Sequence, residues 1–119
     1  MSVTYGEGRY QIYATAVPCG RDVTVAFTGG ELPHVGAVSL GVYEPQRDSA
    51  TVSTITCFGH RDDAFSRQAA KEIASALQCT ACVSVGVHVD DASSEEIQLL
   101  TDNFRHCLDW LKEFIAQKE

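Results

Sequence analysis

Positive charge is scarce in this chain. Nine Lys and Arg stand against sixteen Asp and Glu, a formal net charge of −7 over 119 residues. A protein that neutralises a phosphate backbone or lies on an anionic bilayer needs the opposite balance. General nucleic-acid binding and membrane-surface binding are therefore excluded as main roles, although one small phosphate site is not. Long apolar runs are missing too. No stretch approaches the ~18 residues of a membrane helix, and no basic start leads into an apolar segment. Neither a span nor a signal peptide is expected, and the cytoplasm is the expected compartment. A disulfide framework is also lacking: five cysteines at irregular spacing point to reduced thiols. No repeat, linker or low-complexity segment divides the chain. It reads as a single domain over 1–119, long enough for a hydrophobic core without staples.

What is present is alternation of apolar and polar residues, the period of a strand. After a loose lead-in, Met1–Gly8, the pattern predicts strands over Arg9–Val17 and Asp22–Thr28, joined as a hairpin by the turn Pro18-Cys19-Gly20-Arg21. Two more follow over Val35–Tyr43 and Ala50–Phe58. Asp62 or Asp63 is a helix N-cap, and Phe65, Ala69, Ala70, Ile73, Ala74 and Leu77 form a stripe at helical spacing. The fifth strand is Thr80–His88. Ser93-Ser94-Glu95-Glu96 fits a capping box before a last helix, Ser94–Gln117, with Ile97, Leu100, Phe104, Cys107, Leu108, Leu111 and Ile115 on its apolar stripe. The order β-β-β-β-α-β-α predicts an α/β (α+β) two-layer sandwich. Its mixed five-stranded sheet carries two helices on one face, with the early strands as antiparallel neighbours and the crossover making strands four and five parallel. Ala37, Ser39, Gly41, Ser84 and Gly86 are assigned to the outward, uncovered face. Small residues there allow something flat to lie close, which predicts a homo-oligomer.

The stretch Gly86–Asp91 ends the most strand-like run with a histidine and two carboxylates, just before a helix start. Such a strand end often forms a pocket rim. Connection logic brings more to the same sheet edge. Gly29-Gly30 end one strand there, another begins just after His34 with Gly36 near its start, and Gly59-His60-Arg61 follow a third. His34, His60 and His88 should therefore share one edge, with His106 elsewhere. Gly30, Gly36, Gly59 and Gly86 permit close backbone approach. The first helix starts at this edge with Arg61 and Arg67 nearby, which suits a phosphate or carboxylate. The three histidines with Asp90 are also an alternative set for a divalent metal, although no His-x-x-x-His spacing supports it. The bland alternative is a group of strand-end residues making local hydrogen bonds. Cys79-Thr80-Ala81-Cys82 joins a helix end to a strand start, the wrong context for a thioredoxin-like site, and reads as structural. Cys57 with His60 is a conceivable nucleophile pair, but Cys57 reads better as a strand residue.

Three segments carry a resemblance. They are His34-Val35-Gly36-Ala37-Val38, Gly59-His60-Arg61-Asp62-Asp63, and Val85-Gly86-Val87-His88-Val89-Asp90-Asp91-Ala92 with Ser94-Glu95-Glu96-Ile97. In this order they resemble the LpdD-like family, small proteins associated with prenylated-flavin-dependent decarboxylases such as gallate decarboxylase. The resemblance runs from about Gly6 to the last helix. It implies a chaperone that holds reduced prenylated FMN and delivers it to, or matures it in, the decarboxylase, with the prenylated-FMN synthase as a further partner. It further implies cofactor binding by Gly30, His34, Gly36, Gly59, His60, Arg61, Arg67, Gly86, His88 and Asp90. Two other classes compete: a small lyase or metal-dependent enzyme at the same edge, and an interaction subunit that only stabilises a partner.

Overall fold

The structure, a computed structural model, describes residues 1–57 and 62–117. Its elements are β1 (Ser2–Tyr5), a 3-10 turn (Gly8–Tyr10), β2 (Ile12–Cys19), β3 (Asp22–Gly30), β4 (Ala37–Glu44), β5 (Ser49–Thr56), α1 (Asp63–Leu77), β6 (Thr80–His88) and α2 (Ser94–Gln117). They form a mixed α+β two-layer sandwich. The sheet has six strands rather than five, in the order β1-β2-β3-β6-β4-β5. The lead-in supplies the extra strand: Ser2–Tyr5 pairs antiparallel with β2, from Ser2 beside Thr15 to Tyr5 beside Ile12. Four residues are too few for alternation to declare a strand; the partner makes it one. Arg9 and Tyr10 belong to the 3-10 turn, so β2 begins later than its pattern suggests.

The strand order corrects the expected neighbours. The hairpins β2–β3 and β4–β5 form as predicted. β3 and β4 do not touch. β6 enters between them, parallel to β3 and antiparallel to β4. β5 and β6 therefore run in the same direction, as a helical crossover requires, but with β4 between them.

Both helices lie on one face, α2 across β1 and β2 and α1 across β4, β5 and β6. The covered face of β2 and β3 is Ile12, Ala14, Ala16, Val23, Val25 and Phe27, all buried. Phe27 meets Phe104 of α2 at 4.7 Å between ring centroids, and Phe104 meets Phe65 of α1 at 4.8 Å. Burying each such side chain contributes about 1.5–3 kcal/mol. Ile97 departs from the predicted stripe of α2 and is exposed, whereas Asn103 is buried and donates to the Tyr10 carbonyl at 2.8 Å.

The face assignment of β4 is reversed. Ala37, Ser39 and Gly41 lie beneath α1, and Val38, Leu40 and Val42 point to the open side. The reason is the distance at which α1 packs. A Cβ on Gly41 would fall 2.5 Å from the Ala70 carbonyl oxygen. Small residues on β4 and the Ala69, Ala70, Ala74 stripe of α1 let helix and sheet approach closely. Ser39 is satisfied there, 2.8 Å from both the Thr54 and Ser66 hydroxyls. Ser84 and Gly86, on β6, do belong to the open side, across from Val38 in the case of Ser84.

Candidate functional site

β3 and β6 are parallel and end together, with Gly30 beside His88. The segment before β4 enters at the same edge, where the Gly36 amide donates to the Val85 carbonyl at 2.9 Å. His34 and His88 thus share one end of the sheet, as the connections require. Gly59, His60 and Arg61 lie outside the described residues. His106 is elsewhere, stacked on Tyr5 at 4.2 Å between centroids.

His34 is held from two sides. Its Nδ1 donates to the Leu32 carbonyl at 2.8 Å, and its Nε2 stands 3.3 Å from Asp62 Oδ2. When the ring is protonated this closes an ion pair. Asp62 sits at the N-cap of α1, but its carboxylate makes no cap hydrogen bond. Instead Oδ1 accepts the Val87 amide at 3.2 Å. One buried carboxylate therefore ties the helix start to β6 and to the loop before β4. Only Asp62's helix-cap position was readable from the sequence; no local signal announces its tie to β6.

His88 is the opposite case. Its ring is 44% exposed, and Nε2 contacts Asp90 Oδ1 at 2.7 Å. Around it runs a polar network that the sequence reading missed. The Asp90 amide donates to Glu31 at 2.9 Å, and Arg9 donates to the Asp90 carbonyl at 2.9 Å. Arg9 also stands 3.4 Å from Glu31 and 3.7 Å from Glu96. The capping box forms as predicted: the Glu96 amide donates to Ser93 Oγ at 3.2 Å, and the Ser93 amide donates to Glu96 Oε1 at 3.0 Å. The other Glu96 oxygen accepts the Tyr10 hydroxyl. That hydrogen bond, with those from Ser93, holds Glu96 well below the carboxylate range, at about 2, and pushes the Tyr10 hydroxyl up. Besides His88 and Asp90, the capping motif is the trace of this network that the sequence carries.

Three of the predicted glycines make room for the protein itself. A Cβ on Gly86 would fall 1.6 Å from the His34 carbonyl oxygen, on Gly36 2.0 Å from Asp62 Oδ2, and on Gly30 2.1 Å from the His88 carbonyl oxygen. Gly30 also has a positive φ of 73°, which favours glycine. Arg67 is exposed on α1 and has no ion-pair partner among the described residues. Among the described residues no three His, Cys, Asp or Glu form a metal-binding group. Cys79 is buried and Cys82 half-buried, while Cys57 lies just past β5, exposed. A cavity of about 220 Å³ lies at the other end of the sheet, lined by Pro18, Arg21, Val23, Leu77 and Ile115.

The edge thus offers one buried imidazole in a fixed polar frame and one accessible imidazole at the rim of a flat sheet face. Such a set can hydrogen-bond a planar polar molecule. The family model for the prenylated flavin chaperone LpdD-like domain matches residues 6–116. The chain belongs to that family. Protein LpdD of Lactiplantibacillus plantarum (strain ATCC BAA-793 / NCIMB 8826 / WCFS1) is 26% identical over 120 residues, covering 98% of this chain and 88% of that protein. The fold is also similar to a chain in a crystal structure of a novel chaperone complex for yeast 20S proteasome assembly. There the TM-score is 0.63 at 14% identity, over 95% of this chain and 94% of the other. That likeness concerns the fold alone. No helix among the described residues is long and apolar enough to cross a membrane.

Proposed function

We propose that this protein binds reduced prenylated FMN at the strand-end edge and delivers it to, or matures it in, a prenylated-flavin-dependent decarboxylase. The synthase that makes the cofactor is its natural donor. The observation that carries this reading is membership of a prenylated flavin chaperone family by a chain whose accessible His88 borders an open sheet face. The residues suit the ring better than the phosphate. Gly30 lies beside the exposed His88 at the strand ends, where a planar ring can rest against the rim and its carbonyl edge can accept from the imidazole. Glu31, Asp90 and Asp91 would repel a phosphate at this rim. Its place is at the start of α1, which meets the same edge through Asp62. His34, Gly36 and Asp62 serve as the frame that fixes the edge.

The test is native mass spectrometry of the chain co-expressed with a prenylated-FMN synthase without oxygen. The expected result is an adduct of the prenylated flavin mass, near one per subunit, lost in His88→Ala. Bare protein, or protein carrying only a divalent ion, would overturn the reading; the second result would favour the metal-dependent enzyme.

A further inference from the structure

We infer that the uncovered sheet face is an interface between two copies of this chain. The helices protect only one side, and the molecule is 21 Å through its short axis, the depth of two layers. On the other side the six strands lie open, except where the His34 backbone passes over Gly86 at one end of β6. Among the described residues, charged groups on that face stand only at strand ends. Asp22 uses its carboxylate to accept the Thr80 amide at 2.9 Å, Glu44 stands 3.6 Å from Arg47, and His88 contacts Asp90. Every interior position of the face is apolar or uncharged. Apolar side chains project from both flanks: Ile55 is 78% exposed, Val17 55%, Tyr13 45%, Leu40 43% and Val42 42%. The central strands β3 and β6 carry only small residues there, Ala26, Thr28, Cys82 and Ser84 among them.

Two quantities select a second copy as the occupant. The first is charge. The chain carries −7, so two copies repel wherever their acidic surfaces meet, whereas the interior of this face brings no like charges together. The second is area. Strands ~4.8 Å apart and about eight residues long give the face on the order of 700 Å². A standard stable interface buries about 800 Å² per partner. Raised flanks and a low centre on one copy accept the same relief on the other when the two sheets stack, as in an aligned sandwich.

The inference does not depend on flavin binding. It is tested on the purified, flavin-free chain by sedimentation velocity at micromolar concentration. The expected result is a dimer whose affinity does not fall as salt is raised. Leu40→Glu should weaken dimerisation by ~100-fold, because a carboxylate would be buried without a partner. Ser53→Glu, opposite Leu40 on β5 and outside the core, should do the same while keeping the far-UV circular dichroism of the folded chain. Ile97→Glu, exposed on α2, should leave the dimer intact. A wild-type monomer would overturn the inference, and so would a dimer that survives both Leu40→Glu and Ser53→Glu. A face that binds the decarboxylase while the chain alone stays monomeric would likewise overturn it.

Discussion

The two histidine–aspartate pairs at the sheet edge have the same chemistry and opposite circumstances. In His34–Asp62 the side chains are 18% and 7% exposed; in His88–Asp90 they are 44% and 78% exposed. The first pair joins three segments through one carboxylate. The second joins neighbours two residues apart and leaves its ring in solvent. An ion pair taken out of water is held by its surroundings and fails badly when one partner is removed. An exposed pair contributes little to stability and stays available to a ligand.

The largest effect should follow from breaking the buried pair. Asp62→Ala strands the Val87 amide and removes the partner of His34, and should cost about 3 kcal/mol in urea unfolding. A loss no greater than that of Asp90→Ala would erase the distinction. Gly86→Ala attacks the same frame from beneath, since its Cβ would overlap the His34 carbonyl. It should cost about 1–3 kcal/mol by the same measurement.

A third ion-pair group, between the helices, lies between these extremes. Arg105 donates to both Glu72 oxygens at 2.6 Å, and Lys112 adds a bond at 2.9 Å. These contacts, Arg105 first, lower Glu72 from 4.5 to about 2. Its folded value lies below the unfolded one, so the stabilisation is complete above pH 4.5 and is lost as pH falls toward 2. After allowance for solvent screening it amounts to about 1–2 kcal/mol. Glu72→Gln should flatten the stability–pH curve in that window. The smallest effect belongs to His88→Ala, within about 0.5 kcal/mol of wild type in urea unfolding despite its loss of flavin.

Much of this was legible in the sequence. Alternation located five strands, the capping box located α2, and connection logic placed His34 and His88 together before any coordinates. What was not legible has physical causes. Pairing order is non-local, so nothing in Thr80–His88 says that it enters between β3 and β4. The covered face of β4 is hidden from a sequence pattern because bulk is the usual mark of a core. At Gly41 the core is made by close approach instead, and the bulkier Val38, Leu40 and Val42 are turned outward. The tie between Asp62 and Val87 spans 25 residues and leaves no periodic trace.

The late entry of β6 has a consequence for the chain as it is made. Until residue 88 has left the ribosome, the nascent sheet consists of a three-stranded unit, β1-β2-β3, and the β4–β5 hairpin, with no strand between them. Each carries an open edge, and the inner edges of β3 and β4 are the ones that β6 will occupy. The sheet therefore closes in a single late event that uses its most sequence-distant strand pairing, a slow kind of step. During that interval the unfinished chain presents two strand edges to its neighbours, so its yield in cells should depend on how quickly translation passes from α1 through β6.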